Sequence, residues 1–254
     1  MEKRGQVTIF IIIAVLVIAG VALFFTFKSD IGIGKQEMSS VEIAPIKAFV
    51  QECLESSVEE GIYYLGIQGG YYETPKPKEI YLTAEIPVYW NVDSENIPTK
   101  ETIELELVTY VLDDLYECLE GLEEFENKGF EIKEEASSGE VVISSRVNFK
   151  LNYPMVIEKG DSKSKIEDFS YVLNFDFMSK HNLARMIIEN QKENPEMFAM
   201  GFISALAYEK GFVYETMDLG EGKMILSLIF NEFDKEGYPF VYSFVINYGE
   251  ENED

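Results

Sequence analysis

Hydrophobic and polar positions change their spacing along this chain, and the first long run is purely apolar. Residues 7–27, which begin at Val7 and end at Phe27, include no charged side chain. At about 1.5 Å of rise per residue, a helix of this length spans roughly 31 Å, the thickness of the hydrocarbon core of a bilayer. Because the run has no polar face, it predicts a transmembrane helix that contacts the lipid bilayer, and not a core helix.

Two amphipathic helices are predicted after this run. Apolar residues recur at helical spacing over 46–65 and again over 103–122, with acidic residues on the opposite sides. Glycines follow the first stripe, and Pro98 precedes the second, which are ordinary helix boundaries. Between the helices, residues 71–97 are divided by prolines and predict short strands. The acidic continuation at 123–126 predicts a solvated, frayed helix end.

The last part of the chain has mainly the spacing of strands. Residues 141–151 and 169–177 alternate between apolar and polar and predict two half-buried antiparallel strands. Two shorter helices are predicted next, at 178–194 and 197–210. Three closing strands are predicted, of which the middle one is apolar enough to be covered on both faces: 212–217, 224–233 and 240–248.

These elements predict an N-terminal transmembrane helix followed by an α+β domain. We expect a signal-anchor transmembrane helix at 1–28 and a polar linker at 29–40. A region of two paired long helices with short strands follows at 41–129, and an antiparallel-sheet region at 130–254.

The net charge of the residues after the predicted anchor argues against anionic binding partners. Residues after 28 carry 18 basic and 45 acidic side chains, a net charge of −27. Such a surface repels nucleic acid and anionic headgroups. Because 46% of the chain is hydrophobic and 13% is aromatic, a packed core is expected rather than disorder.

The flanks of the apolar run predict its orientation. Lys3 and Arg4 precede it, which favours a cytoplasmic N-terminus and an extracytoplasmic remainder. The alternative, a cleaved secretory signal, usually has a shorter apolar region followed by small residues. This run is longer and ends in phenylalanines, so we expect an uncleaved single-pass anchor in the cell membrane.

Two cysteines add a covalent prediction. Cys53 and Cys118 each lie in a Glu-Cys-Leu-Glu tetrapeptide within the predicted helices. In an exported chain, two cysteines predict one disulfide bond, which would join the two helices. Two buried free thiols are the alternative.

The N-terminus carries a family resemblance. A short basic leader ending in Gly5, followed by Gln6 and the apolar run, resembles the leader of archaeal type IV pilin-like proteins. The resemblance implies cleavage between Gly5 and Gln6 and a helix that bundles in a filament core. Phe10 stands where those proteins carry an acidic residue. Residues 49–55 and 68–72 resemble stretches of archaeal single-pass surface proteins.

Few residues suggest chemistry. His181 is the only histidine, which excludes a multi-histidine zinc site, and its place early in a helix predicts a surface residue. Tyr71, Tyr72, Tyr89 and Trp90 could stack on sugar rings and form a glycan contact. The alternative is that these rings fill strands over the helix pair.

The sequence therefore predicts a structural or interaction role without catalysis, metal or cofactor. The expected partner is a protein at the cell surface, and no nucleic acid is expected. The alternatives are a pilin-like filament subunit, an anchored hydrolase that uses paired carboxylates, and a glycan-binding module.

Overall fold

A computed structural model describes residues 36–91 and 94–249 of the chain. The predicted transmembrane segment at 7–27, and Gly5 and Gln6 of the leader, lie outside these ranges. Among the described residues, no helix has both the length and the apolar character needed to cross a bilayer. This part of the chain has the predicted α+β architecture, with long helices packed on two mixed sheets.

The longest helix, α1, spans Ser40–Ile67 and begins at a capped end. The Ser39 backbone N–H donates to the Glu42 carboxylate at 3.1 Å, which satisfies a donor at the helix start. Its apolar stripe is buried. Beyond the helix, Gly69 and Gly70 take positive φ values of 57° and 88°, a conformation that glycine adopts without strain.

The second helix, α2, spans Lys100–Leu119 and packs beside α1. Thr99 caps it, because the Thr99 hydroxyl accepts from the Thr102 backbone N–H at 3.2 Å. A 3-10 turn at Glu120–Leu122 and a helical turn at Glu123–Glu126 extend it. The acidic end predicted to fray is therefore folded. The buried stripe of α2 is Ile103, Leu107, Val111, Leu115 and Leu119.

Helix α3 spans Phe177–Glu193, and helix α4 spans Met200–Lys210. Asp176 caps α3 by accepting the Ser179 backbone N–H at 3.1 Å. Gly211 ends α4 in the left-handed conformation, as predicted.

The strands of the described chain form two sheets. In chain order they are β1 (Gln36–Glu37), β2 (Lys78–Tyr81), β3 (Ala84–Asn91), β4 (Ser94–Glu95), β5 (Glu131–Glu134), β6 (Ser138–Ile143), β7 (Val147–Lys159), β8 (Ser162–Leu173), β9 (Val213–Gly220), β10 (Lys223–Phe233) and β11 (Pro239–Asn247).

The first sheet has the order β1-β8-β7-β5, with β6 also paired to β7. The second has the order β2-β3-β11-β10-β9, with β4 also paired to β3. Both sheets are mixed, because β1 pairs with β8 and β3 pairs with β11 in parallel. The prediction of an antiparallel sheet is therefore correct for the remaining strand pairs but not for these two. The β3–β11 pair also joins the regions 41–129 and 130–254 in one sheet.

Two strand predictions are wrong in detail. Residues 141–151 are not one strand, because Ile143 pairs with Val147 across a tight turn and β6 and β7 form a hairpin. The chain turns at Ser144, whose backbone N–H bonds the Arg146 carbonyl at 2.9 Å, and the alternation resumes beyond it. The strand predicted to 177 ends at Leu173, since the residues after it lead into the start of α3.

Helix α1 contacts both sheets and α2, so one core joins all the layers. Toward its N-terminal half, the Gln51 side chain donates to the Ser170 carbonyl on β8 at 3.1 Å. Toward its C-terminal end, the Tyr63 ring packs edge-on against Phe240 of β11 at 5.5 Å. The central strand β10 has buried side chains on both faces, as predicted.

Candidate functional site

The predicted disulfide bond is present. Cys53 of α1 and Cys118 of α2 are bonded, with Cα atoms 5.9 Å apart, which confirms the pair. The separation is in the ordinary range for a disulfide. The bond closes a loop between residues 65 positions apart and ties the helices side by side. Cys53 is buried, whereas Cys118 is exposed, so a reductant can approach from the α2 side.

The rings proposed for glycan contact are mostly inside the protein. Tyr71, Tyr89 and Trp90 keep only 6%, 0% and 5% of their surface exposed. Tyr89 stacks on Phe244 with ring centroids 4.8 Å apart, and all three rings belong to the main core. These three residues therefore form no exposed stacking platform. They are packed in the core, in keeping with the alternative that these rings fill strands.

Tyr72, the fourth ring, is half-buried in a cluster with Tyr64 and Tyr110. The three ring centroids are 5.1 to 5.7 Å apart, so the rings contact one another and leave no gap for a ligand between them. The Tyr72 hydroxyl donates to the Asp113 carboxylate at 3.3 Å. Burial, then the charge of Asp114, raises the pKa of Tyr110. The cluster contributes to the packing of α1 against α2, because Tyr64 belongs to α1 and Tyr110 belongs to α2.

The surface prediction for His181 is wrong. Its side chain is 2% exposed, because α3 turns this face toward β11. His181 Nδ1 lies 2.9 Å from the Tyr242 hydroxyl, which lies 2.6 Å from the Tyr89 hydroxyl. Tyr89 donates in turn to the Gly69 carbonyl. Burial, then the charge of Arg185, lowers the pKa of His181 to about 4, so the ring is neutral at pH 7.

This chain of hydrogen bonds links three elements inside the core. His181 comes from α3, Tyr242 from β11 and Tyr89 from β3. Because each buried hydroxyl has a partner, the network stabilises the packing of these elements. The sequence gives little indication of this network, because His181 and Tyr242 are 61 residues apart.

A groove of about 480 Å³ lies beside the end of α2. One wall is the last turns of α2 with the turns that continue it, and the other is the end of β5 with the segment that leads to β6. We call it the glutamate groove. Its lining is Leu112, Leu115, Tyr116, Leu119, Glu120, Leu122, Glu123, Glu126, Glu134, Glu135, Ala136, Ser137 and Tyr153.

The floor and rim of the glutamate groove differ in chemistry. Four leucines line the floor, of which Leu115, Leu119 and Leu122 are buried in the main core and Leu112 is half-buried. Tyr116 stands at its side with 76% of its surface exposed. The rim carries the five glutamates, all exposed, and none of the lining residues is a lysine or arginine. In the described part of the chain, none of these glutamates forms a salt bridge.

Three other cavities of the described chain combine both signs of charge. Two of them, of about 500 and 650 Å³, adjoin along α3 and share Asn182 and Met186. Arg185 and Glu189 line the first, and the Lys180–Glu232 ion pair lines the second, with N and O atoms 2.6 Å apart. Over residues 36–91 and 94–249, no group of three or more His, Cys, Asp or Glu side chains is placed to hold a metal ion.

Comparison of the chain with protein-family models, with curated proteins and with solved structures finds no match. Its function is therefore inferred from the residues of the chain and from their geometry.

Proposed function

We propose that this chain is a membrane-anchored, extracytoplasmic protein that works by binding a protein partner at the cell surface, without catalysis. The observation that carries the proposal is the Cys53–Cys118 disulfide bond. Disulfides form and persist in oxidising compartments and are rare in the cytosol. A bonded pair between two core helices therefore supports an exported location.

The anchor in this proposal is the apolar run at residues 7–27, with its N-terminal end in the cytoplasm. Lys3 and Arg4 before the run support that orientation. The strongly acidic remainder supports solubility outside the membrane and a partner of opposite charge. An open groove with a one-sided charge supports binding as the activity.

A reporter fused to the C-terminus tests this topology. We expect a reporter that is active only outside the cytoplasm to be active in the fusion, and the protein to remain in the membrane fraction. Protease added to intact cells should then remove the acidic part. An active cytoplasmic reporter at the same position would overturn both the location and the surface role.

The pilin-like filament subunit is a second candidate, and the specific observation that favours it is the leader ending in Gly5 and Gln6. In this case the chain would lose residues 1–5 before assembly. Intact-mass measurement of the protein from native membranes tests it, since the shortened chain would begin at Gln6. Retention of the leader would exclude this candidate and leave the single-pass anchor in place.

A further inference from the structure

We propose that the glutamate groove binds a cationic amphipathic segment of the partner protein. Lysine or arginine side chains of that segment would contact the glutamate rim, and leucine-type side chains would contact the apolar floor. This inference depends on the proposed surface-binding role and names the chemistry of the partner.

The rim supplies the first argument, which is charge complementarity. Glu120, Glu123 and Glu126 lie along one wall, and Glu134 and Glu135 lie along the other. Like charges gathered around one groove repel one another, and within the described chain no lysine or arginine forms a salt bridge with them, although the charge of Lys165 attracts Glu135. A cationic segment placed between the walls would relieve this repulsion and gain attraction from both sides.

The floor supplies the second argument, which is shape and apolar surface. The apolar surface that a ligand can reach comes from the half-buried Leu112 and from Tyr116, which is 76% exposed, beside three buried leucines of the lining. A volume of about 480 Å³ is large enough to receive several side chains. An exposed tyrosine beside an apolar depression is typical of the contacts that contribute most to protein interfaces.

The arrangement also favours a peptide over other cationic or anionic ligands. The carboxylates are spread around the rim, and no three acidic, cysteine or histidine side chains of the described residues converge as metal ligands would. The same charge repels nucleic acid and anionic lipid. A polypeptide with spaced positive charges and apolar side chains satisfies both rim and floor.

The test uses the full chain in nanodiscs of neutral phosphatidylcholine, with empty nanodiscs as the blank. The probe is a short fluorescent peptide of leucine and lysine at helical spacing, and fluorescence anisotropy measures its Kd. Two comparison peptides replace every lysine by glutamate or every leucine by serine. We expect the leucine-lysine peptide to bind and each comparison peptide to bind at least about tenfold more weakly.

Variants locate the binding. Glu123→Lys with Glu135→Lys reverses one charge on each wall and should weaken binding at least about tenfold. The matched control, Glu196→Lys with Glu215→Lys, makes the same change in net charge on exposed residues outside the groove and should change the Kd less than about twofold.

A second pair of variants tests the floor. Tyr116→Ser should weaken binding about fivefold or more, whereas Tyr208→Ser, at a residue 93% exposed and outside the groove, should not. Circular dichroism of each variant establishes that it is folded.

Several results would overturn the inference. They are the absence of binding, equal weakening by the two charge reversals, equal binding of the serine peptide, and displacement of the peptide by one Ca²⁺ per chain at constant ionic strength. The topology reporter separates this failure from the failure of the proposed function. If the chain binds no peptide but its C-terminus is outside the cell, only the inference is lost.

Discussion

At the scale of single residues, the buried network that ends at His181 explains how this core holds polar groups. The imidazole and two tyrosine hydroxyls are fully inside the protein, yet each has a hydrogen-bond partner. An unpaired buried group would cost about 1–3 kcal/mol, so the network is stabilising only while every member keeps its partner. Protonation of the imidazole would add a buried charge 2.9 Å from the Tyr242 hydroxyl.

We therefore expect His181 to make the protein less stable in mild acid. Its pKa falls from 6.5 to about 4 on folding, so the unfolded chain binds more protons between these values. The stability due to the neutral ring is complete above pH 6.5 and is lost as the pH falls toward 4. The loss is on the order of 3 kcal/mol. Urea unfolding of the wild type and of His181→Asn from pH 7 to pH 4 measures it.

The comparison between the two proteins isolates the histidine. The many carboxylates also titrate over this range, but they do so in both chains, and their effect cancels in the difference. Asparagine keeps a polar atom near the position of Nδ1 and does not titrate. The wild type should lose its stability advantage over the variant as the pH falls, and parallel curves would contradict the assignment.

At the scale of elements, the fold is arranged around the close approach of α1 to its neighbours. A Cβ at Gly61 would lie 2.7 Å from the Tyr110 ring, on the side facing α2. A Cβ at Gly66 would lie 2.6 Å from both the Phe240 ring and the Val241 carbonyl oxygen of β11. The two glycines thus allow α1 to approach α2 and β11 more closely than a residue with a side chain would allow.

The substitution Gly66→Ala tests this approach. Alanine favours a helix by about 1 kcal/mol over glycine, but here the added methyl meets backbone that cannot move freely. We expect a net loss of about 1–3 kcal/mol in the free energy of unfolding. Gly201→Ala in α4 is the control, because a Cβ there has nothing within 4 Å, and it should stabilise by up to about 1 kcal/mol. Equal effects at the two sites would contradict the packing argument.

The disulfide bond is the other link between elements. Its loop of 65 residues predicts a stabilisation of about 4 kcal/mol from the entropy of the unfolded chain. We expect Cys53→Ala with Cys118→Ala to lose most of this in urea unfolding. The reduced wild type should match the double variant, since both lack the bond. A loss below about 1 kcal/mol would show that α1 and α2 are held together by their apolar stripes alone.

At the scale of the whole molecule, the sequence predicts those parts of the fold that depend on local spacing. The stripes of α1 and α2 are one-sided and regular, so both helices and the cysteine pair between them could be predicted. The β6–β7 hairpin was missed because alternation resumes after Ser144 and hides the turn. The burial of His181 depends on Tyr242, which is distant in sequence.

The glutamate groove was missed for a related reason. Its walls come from the end of α2, from the end of β5 with the segment that leads to β6, and from Tyr153 of β7, which only the folded chain brings together. The local signal was the acidic run at 123–126 directly after apolar residues. That signal is also typical of a solvated helix end, so spacing alone could not distinguish the two.

Net charge finally determines how the molecule should respond to salt. The chain carries a formal charge of −25. In the compact state this charge is held at high density, and its self-repulsion opposes folding. Salt also weakens the ion pairs, but exposed pairs contribute only about 0–1 kcal/mol each. We therefore expect the repulsion to dominate, so that Tm rises by several degrees as NaCl increases from about 0.05 to 1 M, where the screening length shortens to about 3 Å.

A thermal scan in nanodiscs at increasing NaCl measures this response, and KCl should give the same slope because screening depends on ionic strength. The variant Glu123→Lys with Glu135→Lys makes the net charge less negative by about four and should show a smaller rise. A Tm that stays constant or falls with NaCl would mean that the ion pairs outweigh the repulsion. The acidic surface would then be stabilising in isolation, and a cationic partner would relieve no repulsion by binding to it.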